Sequence, residues 1–436
     1  MKVIVLGAGV IGTTSAYYLN RLGFDVTVVD RQAAPAAETS FANGGQVSVS
    51  HAEPWANPGA PLKVLKWLAR EDAPLLFRLR PDLRQWLWGL AFLRECTPAR
   101  TRHNIEQIVR LGTYSREKLQ ALRRDTELHY DHLERGILHF YTDAREFEAA
   151  LAPAQQMCEL GCERRVISAK EAKRIEPALA NVPLAGATYT AADESGDARL
   201  FTVSLSKICS DLGVKFLMSH DVKAIRRSGG EVAFVEATDA EGRFVRLKAD
   251  AYVLALGSFS PLLAAPLGIR LNVYPAKGYS VTLPVLDSEK SFSVSLTDDE
   301  YKLVFSRLGD RLRIAGTAEL NGYDRSLNPV RCQAIVDRVE ALFPGAADTS
   351  RAQFWAGLRP ATPSNLPYVG ASPVRNLYLN TGHGTLGWTH ACGSGAALAD
   401  LVAGREPEVA FDFTGARHEV VRPAGNSGGR NRLLGA

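Results

Sequence analysis

No two cysteines in this 436-residue chain form a Cys-x-x-Cys pair. Cys96, Cys158, Cys162, Cys209, Cys332 and Cys392 are scattered, and the nearest two are four residues apart with no histidines at ligand spacing. Neither a zinc nor an iron–sulfur site is therefore written into the chain, and the pattern fits a reducing compartment. No apolar run reaches the roughly 18 residues that a membrane-spanning helix needs. Charge is nearly balanced, 51 Lys and Arg against 47 Asp and Glu. A net charge of only +4 on a chain of this size argues against a nucleic-acid partner. There is no internal repeat. A strand-like run opens at Lys2, leaving no length for a signal peptide, so a cytoplasmic location is expected.

What is present begins with that run. Lys2–Leu6 is short and β-branched, as a buried parallel strand requires. Gly7, Gly9 and Gly12 follow, then a helical stretch to Leu22, a stop at Gly23, and a second strand Val26–Val29 ending in Asp30. This βαβ unit is the dinucleotide fingerprint. Gly7 allows the tight turn, Gly9 the approach of backbone to a pyrophosphate, and Gly12 close packing of helix on strand. Asp30 is placed to bond ribose hydroxyls. The glycines do not separate NAD from FAD. The later course of the chain does, because an NAD-linked dehydrogenase would continue with further βα units. Here a long Pro/Gly/Ala/Asn-rich loop, Ala33–Pro61, follows instead, and buried-strand patterns return only at Ala249–Leu256 and near the end. A nucleotide domain built from distant segments with an inserted cap suits FAD.

Residues 62–93 mix Trp67, Phe77, Trp86 and Trp88 with Lys63, Lys66, Arg70, Arg78, Arg80 and Arg84, and read as helices broken at Pro74 and Pro81. Two readings remain open for them: core-facing helices with solvated charges, or an interfacial patch on anionic lipid. Residues 271–286, 292–296, 302–307 and 311–315 read as strands of one antiparallel sheet. The stretch Thr381–Gly395, "TGHGTLGWTHACGSG", packs in five glycines, and a closing helix is expected only from Ala396. The expected architecture is α/β: a discontinuous FAD-binding Rossmann-like domain (1–95, 190–262, 355–415), an α+β substrate or cap domain (96–189, 263–354), and a disordered tail (416–436).

With those segments in place the chain resembles the D-amino-acid oxidase-like FAD oxidoreductases. The resemblance rests on "VIVLGAGVIG" (3–12), "ETSFANGGQVS" (38–48), "EPWANPGAPLKVLKW" (53–67), "DESGD" (193–197), "YPAKGYSVTLP" (274–284), "FWAGLRPATPSNLPYVG" (354–370) and "LNTGHGTLGWTHACGSG" (379–395). It implies that Gly7, Gly9, Val10, Ile11 and Gly12 hold the FAD pyrophosphate and that Asp30 and Arg31 hold the adenosine ribose. Ser40, Asn43, Gly44, Gly45 and Gln46 would run along the flavin, with Val222 beside the adenine and Gly257 under the cofactor. Gly382, His383, Gly384, Thr385 and Leu386 would edge the isoalloxazine, their amides stabilising the negative charge that develops on hydride transfer to N5.

The resemblance also implies oxidative deamination of D-amino acids to 2-oxo acids and ammonia. Electrons would pass to a quinone on the cytoplasmic face of the inner membrane. Arg359 in "GLRPATP" is the expected carboxylate anchor, because a guanidinium grips a carboxylate through two parallel bonds. Tyr279 could reach the substrate or sit half-buried in the core. His383 is a candidate near the ring, while Lys277 reads as structural. His51 and His390 stand where relatives carry tyrosine and methionine, which argues against essential roles. Ser364-Asn365 replaces Asp-Gly in a turn that asparagine tolerates. The alternatives are a glycine, sarcosine or D-hydroxyproline oxidoreductase of the same fold, a non-catalytic nucleotide-binding protein, and an NAD-linked dehydrogenase.

Overall fold

The computed structural model describes residues 1–67 and 75–415. The expected disordered tail and residues 68–74 of the basic aromatic stretch lie outside them. The first sheet has six strands, with Lys2–Leu6 at its centre between Asp25–Val29 and Ala251–Leu254. Lys215–Leu217 and Leu377–Thr381 extend it in parallel, and Tyr368–Ala371 closes one edge antiparallel. Alternation explains the layers. Val3 and Val5 pack under the helices Val10–Arg21, Ala198–Asp211 and Gly387–Val402. Ile4 and Leu6 turn to the other face, where a three-stranded sheet (Asp221–Ser228, Glu231–Thr238, Phe244–Leu247) covers them. Both faces are apolar because both are covered.

The closing helix differs from expectation. It starts at Gly387, not Ala396, and so contains three of the five glycines. A Cβ on Gly393 would stand 2.7 Å from Ser115 Cα, and one on Gly395 3.0 Å from Ser15 N. These two glycines let the helix lie directly against two neighbouring helices, a packing gain that overrides their poor helix propensity.

The second sheet has nine strands, in the order Gln353–Ala361, Tyr274–Pro284, Arg311–Leu320, Leu303–Leu308, Ser295–Asp298, Ile137–Tyr141, Gly186–Thr190 and Arg165–Ile167, with Leu75–Phe77 beside Arg311–Leu320. It is antiparallel apart from two junctions, Ser295–Asp298 on Ile137–Tyr141 and Leu75–Phe77 on Arg311–Leu320. Helix Pro329–Leu342 and a Phe292, Phe305, Phe343 cluster cover one face. Two expectations change here. Residues 75–77, read as helical, form an edge strand. Gln353–Ala361, assigned to the nucleotide domain from 355 onward, pairs along Tyr274–Pro284 in this sheet. Both pair with strands distant in the sequence, Ala361 with Tyr274 and Leu75 with Ala318, and such pairing has no local signature, so neither could be read from spacing.

The loop that follows Asp30 joins the two sheets. Thr39 Oγ1 donates to Leu358 O (2.9 Å), and Ser280 Oγ donates to Ala42 O (2.7 Å). Arg313 Nη1 donates to Asn43 O, Ser306 Oγ to Gly44 O, and Gln46 Nε2 to Leu296 O. Ser50 Oγ then meets His139 Nε2 at 3.3 Å. Residues 39–50 thus cross six strands of the second sheet in their spatial order.

Candidate active site

Between the sheets lies a cavity of about 830 Å³. Its lining brings together Gly7, Gly9, Val10, Ile11, Asp30, Arg31, Ser40, Asn43, Gly44, Gly45, Gln46, Val222 and Gly257 with His383, Gly384, Thr385, Leu386 and Arg359. Gly9 and Gly384, at opposite ends of the sequence, face one continuous space. Two of the expected cofactor residues do not line it. Gly12 lies beneath the turn, where a Cβ would come 1.8 Å from Gly7 O. Gly382 (φ +84°) turns the chain against Thr362, whose Cγ2 a Cβ would meet at 2.9 Å.

At the nucleotide end the helix Val10–Arg21 opens directly on the cavity. Val10 N donates to Ser40 Oγ (3.0 Å), while the next first-turn amides have no intrahelical acceptor. Gly7 adopts φ +111°, and a Cβ there would strike Ala255 O at 2.5 Å. Asp30 Oδ2 accepts from Ala8 N and Oδ1 from Gln32 N, at 2.7 and 2.8 Å. Burial raises the Asp30 carboxyl above its usual range, and those two amides oppose the rise. Arg31 stacks over Phe259 at 4.0 Å and pairs with Glu38 at 2.6 Å. Bare backbone, a helix N-terminus and a buried acid along one long cavity fit a dinucleotide.

At the other end Arg359 extends from Gln353–Ala361 across Gly278. Its Nη1 donates to Thr317 O (2.7 Å) and its Nη2 to Gly316 O (3.3 Å). Among the described residues no carboxylate lies within ion-pair distance of it. Burial first, then the charge of Arg331, lowers its pKa to about 10. Thr317 is left-handed (φ +48°) and sits where the pairing of Arg311–Leu320 with Tyr274–Pro284 shifts register. Such a bulge re-aims neighbouring groups, and here a carbonyl is turned onto the guanidinium. His383 is buried, with Nε2 3.1 Å from Ser394 Oγ. Burial, then His390, holds its pKa well below the ordinary histidine value, so the ring is neutral.

Of the two placements open for Tyr279, the core one matches its contacts. Strand alternation turns Gly278 toward the cavity, Ser280 toward the 39–50 loop and Tyr279 toward helix Pro329–Leu342. Its hydroxyl donates to Glu319 Oε2 at 2.5 Å, and Lys277 joins the same buried group through Glu319 (3.3 Å) and Asp324 (2.9 Å). Tyr279 borders the cavity but spends its polar atom behind the sheet.

The sequence reading missed a charged group on the same cavity. His139, Tyr141, Arg164, Asp299, Lys302 and Glu53 line it beside His51. Arg164, fully buried, donates to Thr188 Oγ1, Ser50 O, Glu53 Oε1 and the Tyr141 hydroxyl. Asp299 Oδ2 accepts from the Tyr141 hydroxyl at 2.9 Å and lies 3.0 Å from His139 Nδ1. Burial would raise the Asp299 carboxyl, but Lys302, the His139 contact and Arg164 outweigh it and hold it well below the carboxylate range. Burial, then Arg164, lowers His139 to about 4. The available signal was one histidine in the otherwise apolar strand Ile137–Tyr141.

A family model described as FAD dependent oxidoreductase matches residues 2–401. The chain belongs to this family, and its cofactor is FAD. The chain is 58% identical over 415 residues to a D-amino acid dehydrogenase of Dechloromonas aromatica (strain RCB), covering 95% of this chain and 99% of that protein. A D-amino acid dehydrogenase of Paramagnetospirillum magneticum (strain ATCC 700264 / AMB-1) is 53% identical over 418 residues, covering 95% and 98%. Among solved structures, glycine oxidase from Bacillus cereus ATCC 14579 superposes with a TM-score of 0.70 at 22% identity, over 93% of this chain and 97% of that one. L-proline dehydrogenase from P. horikoshii gives 0.71 at 18%, over 93% and 94%. These two share the fold.

Proposed function

We propose that the protein oxidises D-amino acids to 2-oxo acids and ammonia, with the substrate carboxylate held by Arg359. The observation that carries this reading is a guanidinium that borders the cavity and, among the described residues, bonds carbonyl oxygens and meets no counter-ion. A part-buried cation in that state is costly until an anion arrives. A planar carboxylate completes it bidentately and fixes Cα as well as charge. FAD supplies the hydride acceptor when bound. The fingerprint turn, Asp30 and the 40–46 loop would hold it, with Gly384–Leu386 at the far edge. The apolar and glycine floor of Ala315, Gly316 and Gly357 excludes water around the reacting carbon. The neutral ring of His383 can exchange a hydrogen bond there without adding charge. The D preference follows the two dehydrogenases that share more than half of this sequence. The division of labour proposed is a dinucleotide unit around the six-stranded sheet and a substrate unit around the nine-stranded one.

We further propose a quinone as electron acceptor, reached by peripheral contact with the membrane. Among the described residues no helix is long and apolar enough to cross a bilayer. Helix Leu83–Glu95 nonetheless turns Leu83, Trp86, Leu87, Leu90 and Leu93 outward, each about half exposed or more. Exposed Arg84 and Arg94 flank them. An outward apolar stripe edged by arginine suits an anionic bilayer surface.

Anaerobic mixing of the yellow holoenzyme with D- and L-alanine tests the main reading. Flavin absorbance near ~450 nm is expected to bleach with the D enantiomer. Bleaching with neither, or only with L-alanine, would reject it.

A further inference from the structure

The cavity does not stop at Arg359. It continues into the charged lobe of His51, His139, Tyr141, Arg164, Asp299, Lys302 and Glu53. One residue links anchor and lobe: Thr317 O accepts from Arg359, and Thr317 N donates to Lys302 O at 3.4 Å. The lobe has two layers. In the inner layer, Arg164, Tyr141, His139 and Asp299 bond one another and the backbone, and little capacity is left for a ligand. The outer layer is unfinished. Among the described residues Lys302 Nζ makes one ion pair, with Asp299 Oδ1 at 3.3 Å; its side chain is 45% exposed, and Glu53 and Glu146 on the same cavity add negative charge around it. Glu53 gives one oxygen to Arg164 at 2.9 Å and is 46% exposed. Lys302 is also held left-handed at φ +54°, a conformation that is uncommon for lysine and that persists where surroundings over-determine it.

We propose that this lobe receives the substrate's side chain and selects neutral groups that both donate and accept hydrogen bonds, carboxamides first and hydroxyls second. The inference rests on the D-amino acid reading above and adds the substrate class. Its logic is the mixed sign of the outer layer. A carboxamide oxygen can accept from Lys302 while its NH2 donates to the free oxygen of Glu53. An anionic side chain would gain Lys302 but face Glu53 and Asp299, and a cationic one would gain Glu53 but face Lys302 and Arg164. An apolar side chain would strip water from both outer groups and return no hydrogen bond.

D-Asparagine and D-leucine are near-isosteres, and the holoenzyme with an artificial acceptor can be assayed on both, with D-alanine as reference. Wild type should show kcat/KM for D-asparagine roughly ten- to hundredfold above that for D-leucine, as expected for hydrogen bonds to charged groups. Lys302→Met and Glu53→Leu should each bring that ratio towards one, mainly through the KM of D-asparagine, whereas Glu53→Gln, which keeps an acceptor, should retain part of it. Flavin absorbance and thermal melting report whether each variant is folded. D-alanine turnover with a wild-type ratio at or below one would overturn the subsite and leave the underlying reading standing. No turnover of any D-amino acid would instead remove that reading. A ratio untouched in both folded variants, Lys302→Met and Glu53→Leu, would also overturn the assignment of these two side chains.

Discussion

Arg359 reaches its two carbonyls only because Gly278 has no side chain. A Cβ there would lie 2.2 Å from the guanidinium. Gly278→Ala is therefore expected to displace the guanidinium while the strand survives, since its backbone is not left-handed. KM for a D-amino acid should rise roughly ten- to hundredfold, the scale of a lost charge-assisted pair, with kcat and melting temperature far less affected. An unchanged KM would mean that Arg359 is not the anchor. A second residue prediction concerns pH. Burial lowers His390 to about 4 from an ordinary 6.5. The unfolded chain then binds more protons than the native one between those values. Stability is thus full above pH 6.5 and falls as pH drops towards 4, by about 1.4 kcal/mol per unit for each such histidine. In denaturant titrations His390→Met should flatten that slope by about one proton, and an unaltered slope would contradict the assignment. Arg359 could be singled out from the sequence because its motif is local, and the structure puts it on the cavity. For Tyr279 the sequence left two placements open, because parity relative to a cavity is set by partners that the sequence does not name.

At the scale of elements, the helix Leu83–Glu95 bears on two readings that the sequence left open. Trp88 and Phe92 point inward, to a cluster with Tyr274 and Leu320, while the leucine row points out. The core-facing reading holds for the inner face, and the outer leucine row is what the membrane-contact proposal rests on. Leu87→Glu with Leu90→Glu should abolish flotation with anionic vesicles at low salt and leave turnover with a soluble acceptor unchanged. If wild type fails to float at low salt, the membrane proposal falls. Element types were legible wherever period and punctuation agreed, as in Lys2–Leu6 and Val10–Arg21. They failed at Leu75–Phe77, which is too short to show a period, and at Gly387, where helix contacts outweigh propensity.

For the whole molecule, the nucleotide half of the site was written in the first thirty residues and could be read there. The charged lobe was not legible. It gathers a loop at 51–53, a strand at 137–141, Arg164, and a hairpin tip at 299–302, and no spacing rule relates those positions. Composition supplies the charges, and only topology makes them neighbours.

The thread of residues 39–50 sets an order of events during synthesis. Thr39 waits for Leu358, 319 positions later, and Gly44 waits for Ser306, 262 positions later. The glycine turn that greets the cofactor leaves the ribosome almost first, yet the floor beneath it is among the last parts delivered. A nascent chain carries half a cradle for most of its translation, and the flavin can be seated only when the polypeptide is nearly complete.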